Sequence, residues 1–159
     1  MLRWTSVETP MGPVLLALCQ DMLYRSTLPG HADADFWHEL GTCVQLPGEG
    51  GRYRRWIERY FAGVHPGPIP PLFSRGTCFS RRVRRIVSEI PPGETRTYGE
   101  VACAAASPRA ARAVGTVMAR NPFPLFVPCQ RVVPAAGGLG AFGGGTEMKA
   151  ALLAQDRSL

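Results

Sequence analysis

The sequence predicts an α+β fold in two lobes. A small N-terminal α/β lobe with an antiparallel sheet is expected over residues 1–73. A mainly helical, winged-helix-like lobe with a helix-turn-helix is expected over residues 74–159. Three observations carry this. Strand-like apolar runs fall in the first half, at Val14–Leu18 and Met22–Leu28. The stretch His65–Pro71 holds four prolines, which suits neither a helix nor a central strand and reads as a linker. Beyond it the apolar residues recur at helical spacing.

Taken in order, Pro10, Gly12 and Pro13 make a turn before the strand Val14–Leu18, and Asp21 marks the turn into Met22–Leu28. Residues 29–50 are polar and glycine-marked, and read as loops. Tyr53–Phe61 reads as a short helix with Trp56, Tyr60 and Phe61 on one face. Phe79, Val83, Ile86, Val87 and Ile90 form one helical stripe, with Arg81, Arg82, Arg84 and Arg85 off it. Pro91-Pro92-Gly93 ends that helix. Thr97 with Glu100 has the spacing of a capping box and opens a helix from Tyr98 to about Ala105. Ser107 as N-cap and Pro108 in the first turn open a second helix, Arg109 to about Arg120, which stops at Asn121-Pro122. Two short helices joined by a tight turn, the second bearing arginine, form a helix-turn-helix pattern. Leu125-Phe126-Val127 reads as a short strand running into Pro128-Cys129. Glycines at 137, 138, 140 and 143–145 form a loop, and a final helix, Thr146–Asp156, turns Met148, Ala151 and Leu152 inward.

Composition narrows the class. Hydrophobic residues are 45%, enough for a core, and charged residues are 19%. No apolar run reaches the length of a membrane span. The start, MLRWTSVETPMG, lacks the apolar core of a signal peptide, so a cytoplasmic protein is expected. Five cysteines, at 19, 43, 78, 103 and 129, show no disulfide framework and read as free thiols. The net charge of +6 is uneven: residues 1–73 carry six Arg and seven acids, whereas residues 74–159 carry eleven Arg, one Lys and five acids. The basic half points to a polyanionic partner. An arginine-favouring base composition would give the same total, so charge alone does not decide.

The stretches GTCFSRRVRRIVSEIPPGETRTYGEVA, SPRAARAVGTVMARNPFPLFVPCQRVV and GGLGAFGGGTEMKAALL resemble the O6-alkylguanine-DNA alkyltransferases, as do TPMGPVLLAL and RYFAG. The likeness covers nearly the whole chain and is most specific over residues 95–149. It implies that Cys129 accepts the alkyl group from guanine O6 in double-stranded DNA after base flipping. A thiolate suits such an SN2 transfer, and the thioether product is not cleaved by water. The protein would act once, as a monomer, with no cofactor and no metal. The resemblance further implies that Arg112 fills the vacated space in the duplex and Tyr98 presses on the 3′ phosphate. Asn121 matches a hinge asparagine, and Arg109 and Arg131 join the DNA contacts. Phe142, Gly143 and Val132 would line the base pocket.

Three departures stand out. Gln130 replaces the family's histidine, Asp156 its glutamate, and Phe142 its pocket tyrosine. With a water, the family's histidine and glutamate draw the proton from the cysteine, and glutamine takes no proton. Cys129, Gln130 and Asp156 are therefore the expected catalytic group, with a slowed or rewired thiol. Two other readings stay open: a lesion-binding protein with weak transfer, and a repurposed homologue whose Cys129 meets a small electrophile. Cys19, His31, His38 and Cys43 are the right residue types for zinc, but their spacing fits no standard site.

Overall fold

The computed structural model describes residues 1–32 and 34–159. The chain divides into two units, Met1–Phe73 with Pro122–Pro124, and Ser74–Asn121 with Leu125–Leu159.

The first unit is built on strands β1 (Arg3–Val7), β2 (Val14–Cys19), β3 (Met22–Ser26) and β4 (Val44–Gln45), in the order β3-β2-β1-β4. The first three pair antiparallel, but β4 runs parallel to β1, so the sheet is mixed rather than antiparallel throughout. Gln20 and Asp21 both take positive φ, 49° and 63°, which matches the twist a two-residue hairpin needs. Val14–Leu18 is buried at every position, because both faces of β2 are covered. On one face, Phe36 and Leu40 of helix α1 (Ala34–Leu40) cluster with Leu15 and Ala17. Helix α2 (Gly51–Phe61) starts against the other face. A Cβ on Gly50 (φ 112°) would meet Leu16 and Thr5 side-chain carbons at 3.4 Å.

One expectation fails here. The stretch 29–50 is not all loop, since it holds α1 and β4; Asp33 within it lies outside the described residues. The proline-rich stretch lies just before the boundary between the units and leads into chain that packs on the first. Leu72 bridges to Leu23, and the Phe73 amide donates to the Leu23 carbonyl at 2.8 Å. Ser26 holds Pro122–Pro124 to the same unit, with its amide on the Pro122 carbonyl and its hydroxyl on that of Pro124.

The second unit is mainly helical: α3 (Cys78–Ser88), α4 (Tyr98–Ala104), α5 (Ala111–Ala119) and α6 (Thr146–Arg157). Two short strands, β5 (Arg96–Thr97) and β6 (Val132–Val133), pair in parallel. Thr77 caps α3 by accepting from the Ser80 amide. Val83, Val87 and Ile90 are buried as the stripe predicts. Arg84 is buried too, with its guanidinium on the Arg75 carbonyl, so only Arg81, Arg82 and Arg85 face solvent. The capping box at Thr97 and Glu100 forms in both directions.

Ser107 does not cap α5. It closes α4: its amide bonds the Ala102 carbonyl and the Ala106 amide that of Cys103, with Ala106 at φ 57°. These are the two bonds of a Schellman motif, with alanine where glycine is usual. The second helix therefore begins at Ala111, and Arg109 lies in the turn before it. Leu125–Val127 forms no strand, because Leu125 at φ 74° leaves the extended region. Along α6 the inward residues are Lys149, Leu152, Leu153 and Asp156, while Ala151 is exposed. Among the described residues no helix is long and apolar enough to cross a membrane, and no three His, Cys, Asp or Glu come within reach of one metal ion.

Candidate active site

Cys129 opens a single 3-10 turn, Cys129–Arg131, that leads into β6. Pairing of β6 with β5 brings that turn beside the start of α4, which carries Tyr98. Cys129 is 7% exposed. Its amide bonds back to the Val127 carbonyl at 2.8 Å, and the Asn121 side-chain amide donates to the same carbonyl at 3.0 Å. Asn121 thus braces the irregular segment that carries the thiol and is no simple helix cap.

Burial pushes the Cys129 thiol above the usual cysteine range, since a thiolate loses hydration there. Several groups pull it back: the Asn121 side chain first, then the charge of Lys149, then the amides of Cys129 and Gln130. Tyr98, half-buried, is pushed up by burial and by the nearby Cys129. Its hydroxyl faces the glycine loop, 3.8 Å from where a Cβ on Gly140 would stand. That Cβ would also lie 2.8 Å from Pro134, and Gly140 sits at φ 77°, so only glycine fits the bend.

Behind the thiol lies a buried polar array. Gln130 is fully buried, and its Nε2 faces the Asp156 carboxylate at 3.3 and 3.4 Å. Its Oε1 has no hydrogen-bond partner among the described residues. The amide thus presents one donor and one acceptor, as a neutral imidazole would, but its acceptor end cannot take a proton. Arg131 grips Asp156 with two bonds, Nε to Oδ2 at 2.8 Å and Nη2 to Oδ1 at 2.9 Å, and donates Nη1 to the Ile90 carbonyl. With Arg131 only 6% exposed, the expected DNA contact by this residue is replaced by an internal ion pair.

Of the other expected residues, Arg109 and Arg112 are exposed, Arg112 being the second residue of α5. Phe142 is half-buried and Gly143 exposed, whereas Val132 is fully buried. The Val132 carbonyl accepts from Lys149 Nζ at 2.7 Å. Lys149, 0% exposed and 5.8 Å from the Phe142 ring centroid, is the residue the sequence reading passed over. The available signal was composition: it is the single lysine beside seventeen arginines.

Fold and site define a class: an α+β protein with a buried thiol in a turn, set beside a pair of short helices that present arginine. Residues 78–158 match the family described as 6-O-methylguanine DNA methyltransferase, DNA binding domain. A methylated-DNA–protein-cysteine methyltransferase of Mycolicibacterium paratuberculosis is 48% identical over 99% of this chain and 93% of its own. The constitutive methylated-DNA–protein-cysteine methyltransferase of Bacillus subtilis is 36% identical over 97% and 94%. The crystal structure of Mycobacterium tuberculosis OGT in complex with DNA superposes with a TM-score of 0.86 at 34% identity, over 98% of this chain and 93% of that one. The chain belongs to the 6-O-methylguanine DNA methyltransferase family, the DNA-repair alkyltransferases whose acceptor is a protein cysteine.

Proposed function

We propose that this protein removes alkyl groups from guanine O6 in double-stranded DNA by transferring them, once per molecule, to Cys129. It acts as a monomer in the cytoplasm. The sulfur forms a bond to the alkyl carbon as the bond from that carbon to O6 breaks. The electron pair stays with the guanine, which takes up a proton and remains as the normal base. A base inside the duplex is out of reach, so it must leave the stack. Helices α4 and α5 act as the helix-turn-helix, with Arg109 on the phosphates. Arg112 fills the gap in the duplex, Tyr98 presses on the neighbouring phosphate, and backbone groups near Phe142 and Gly143 hold the base. Asn121 fixes the segment that carries the thiol.

The observation that carries this reading is the β5–β6 pairing, Arg96 with Val132 and Thr97 with Val133, which joins the strand leaving the Cys129 turn to the strand that leads into α4. Intact-protein mass after mixing with a duplex containing O6-methylguanine tests it. Wild type should gain one methyl group and Cys129→Ser none. A wild type still unmodified after hours with excess lesion DNA would overturn it. DNA binding should weaken as salt rises, because phosphate contacts release counterions. Arg112→Ala should impair transfer from lesion DNA more than bulk affinity. Equal losses on damaged and undamaged duplex would remove Arg112 from this role.

A further inference from the structure

The buried charges around Cys129 do not cancel. Arg131 and Asp156 neutralise each other through two hydrogen bonds. Gln130 is neutral, and so is Tyr98, whose hydroxyl is pushed to ionise even later than usual. Asn121 offers only an amide dipole. What remains is Lys149, wholly buried, with its ammonium on the Val132 carbonyl at the end of the turn that Cys129 begins. Among the described residues no carboxylate pairs with it.

A buried ammonium without a counter-ion is costly, and arginine-rich chains have a ready way to avoid one. This chain holds seventeen arginines and one lysine, and the lysine, like Arg84 and Arg131, has gone inside. Its side chain reaches in from the first turn of α6, under the Phe142 ring, and is held by a carbonyl that fixes its direction without cancelling its charge. Arginine's broad fork would be a poor substitute for such a point charge.

We infer that Lys149 is the counter-charge against which Cys129 ionises, supplying by electrostatics what residue 130, as glutamine, cannot supply as a base. The proton leaves the thiol for water, the lysine keeps its own, and the thiolate forms at the start of the turn whose end holds the ammonium. Burial pulls Lys149 down from the usual lysine range while Cys129 pulls it up, and Lys149 pulls Cys129 down, so the two titrate as a pair. The inference rests on Cys129 being the alkyl acceptor, and it makes Lys149 a positioning residue for the thiolate.

The single lysine makes the test direct, because lysine labelled with carbon-13 at Cε gives one resonance from the intact protein. Its pH titration should be recorded in wild type, in Cys129→Ser and in protein methylated by lesion DNA. The Lys149 midpoint should fall by about one unit when the sulfur can no longer carry charge, a tenfold loss of proton affinity. Equal midpoints in all three would overturn the inference. In Lys149→Met, Cys129 alkylation by iodoacetamide, read by peptide mass, should shift its midpoint to higher pH and keep its plateau rate. A lower plateau at an unchanged midpoint would mean that Lys149 is structural only. Should that variant not fold, the lysine titration decides by itself. The two readings fail separately: coupled titrations without methyl transfer would sink the acceptor role alone, and transfer without coupling would sink the role of Lys149 alone.

Discussion

The two units bury different kinds of polar group. Among the described residues of the first these are hydroxyls: Thr5, Ser26 and Thr27. Thr27 accepts from the Leu15 amide and Ser26 donates to the Pro124 carbonyl, so they complete the backbone's hydrogen bonding. In the second unit the buried polar residues are Arg84, Gln130, Arg131, Lys149 and Asp156, four of them charged. Hydroxyls bonded to backbone stabilise a fold at little cost, whereas buried ions contribute little net stability and are expensive to leave unpaired. Charge buried at such cost marks the unit in which chemistry outweighs stability.

The comparison can be broken most sharply at Asp156. Asp156→Asn keeps the shape but strands the Arg131 guanidinium, and should cost about 3–5 kcal/mol in urea unfolding. A loss below about 1 kcal/mol, the scale of an exposed pair, would show that the array is not held together by this ion pair. Gln130→His comes next. Its ring can donate to Asp156 as the amide does and offer a real base on its other nitrogen. Single-turnover transfer near pH 7 should rise roughly tenfold, recovering part of what a high-titrating thiol forfeits. The wild-type rate should climb from about pH 6 to about pH 9.5, because burial raises the thiol and its reactive form gains with each step of pH. A flat profile would point to a thiolate already formed at the low end.

In the first unit Thr27→Val should cost about 1–2 kcal/mol, by stripping a buried amide of its acceptor, with no effect on transfer chemistry. A change in the pH profile of that variant would mean that the first unit also bears on the chemistry of the thiol. The smallest effect expected is a gain. Ala106→Gly relieves the left-handed residue that ends α4 and should add roughly 1 kcal/mol, read as a higher Tm. No gain would mean that Ala106 sits there without strain.

Regular elements with strong local signals were legible in the sequence. The stripe on α3, the run of β2 and the capping box at Thr97 all report on neighbours within a few residues. What escaped was set by distant partners. Helix α1 has only Phe36 and Leu40 to mark it over seven residues, and β4 is two residues long, defined by pairing with β1. Ser107-Pro108 carries the signature of a helix start, yet the chain used Ser107 to finish α4, because two of its orphan carbonyls lay closer. In the site, Cys129, Gln130 and Asp156 were legible as residues, and the structure brings them together. That Arg131 turns inward was not, since nothing local distinguishes an arginine bound for a phosphate from one bound for a carboxylate twenty-five positions on. Lys149 gave no periodic or motif signal and stood out only against the whole composition.

Because the lone lysine is sealed inside, the basic side chains of the outer surface are arginines and the three histidines at positions 31, 38 and 65. Reagents that acylate primary amines meet no accessible lysine side chain, and any tag that must be joined through one finds no acceptor. The arginine part of that surface charge persists at any pH short of strong alkali. The arginine contribution to any attraction for a polyanion therefore persists across the range in which the buried thiol and amine change state. A binding assay and a reactivity assay run over that range should thus read two independent curves from one molecule.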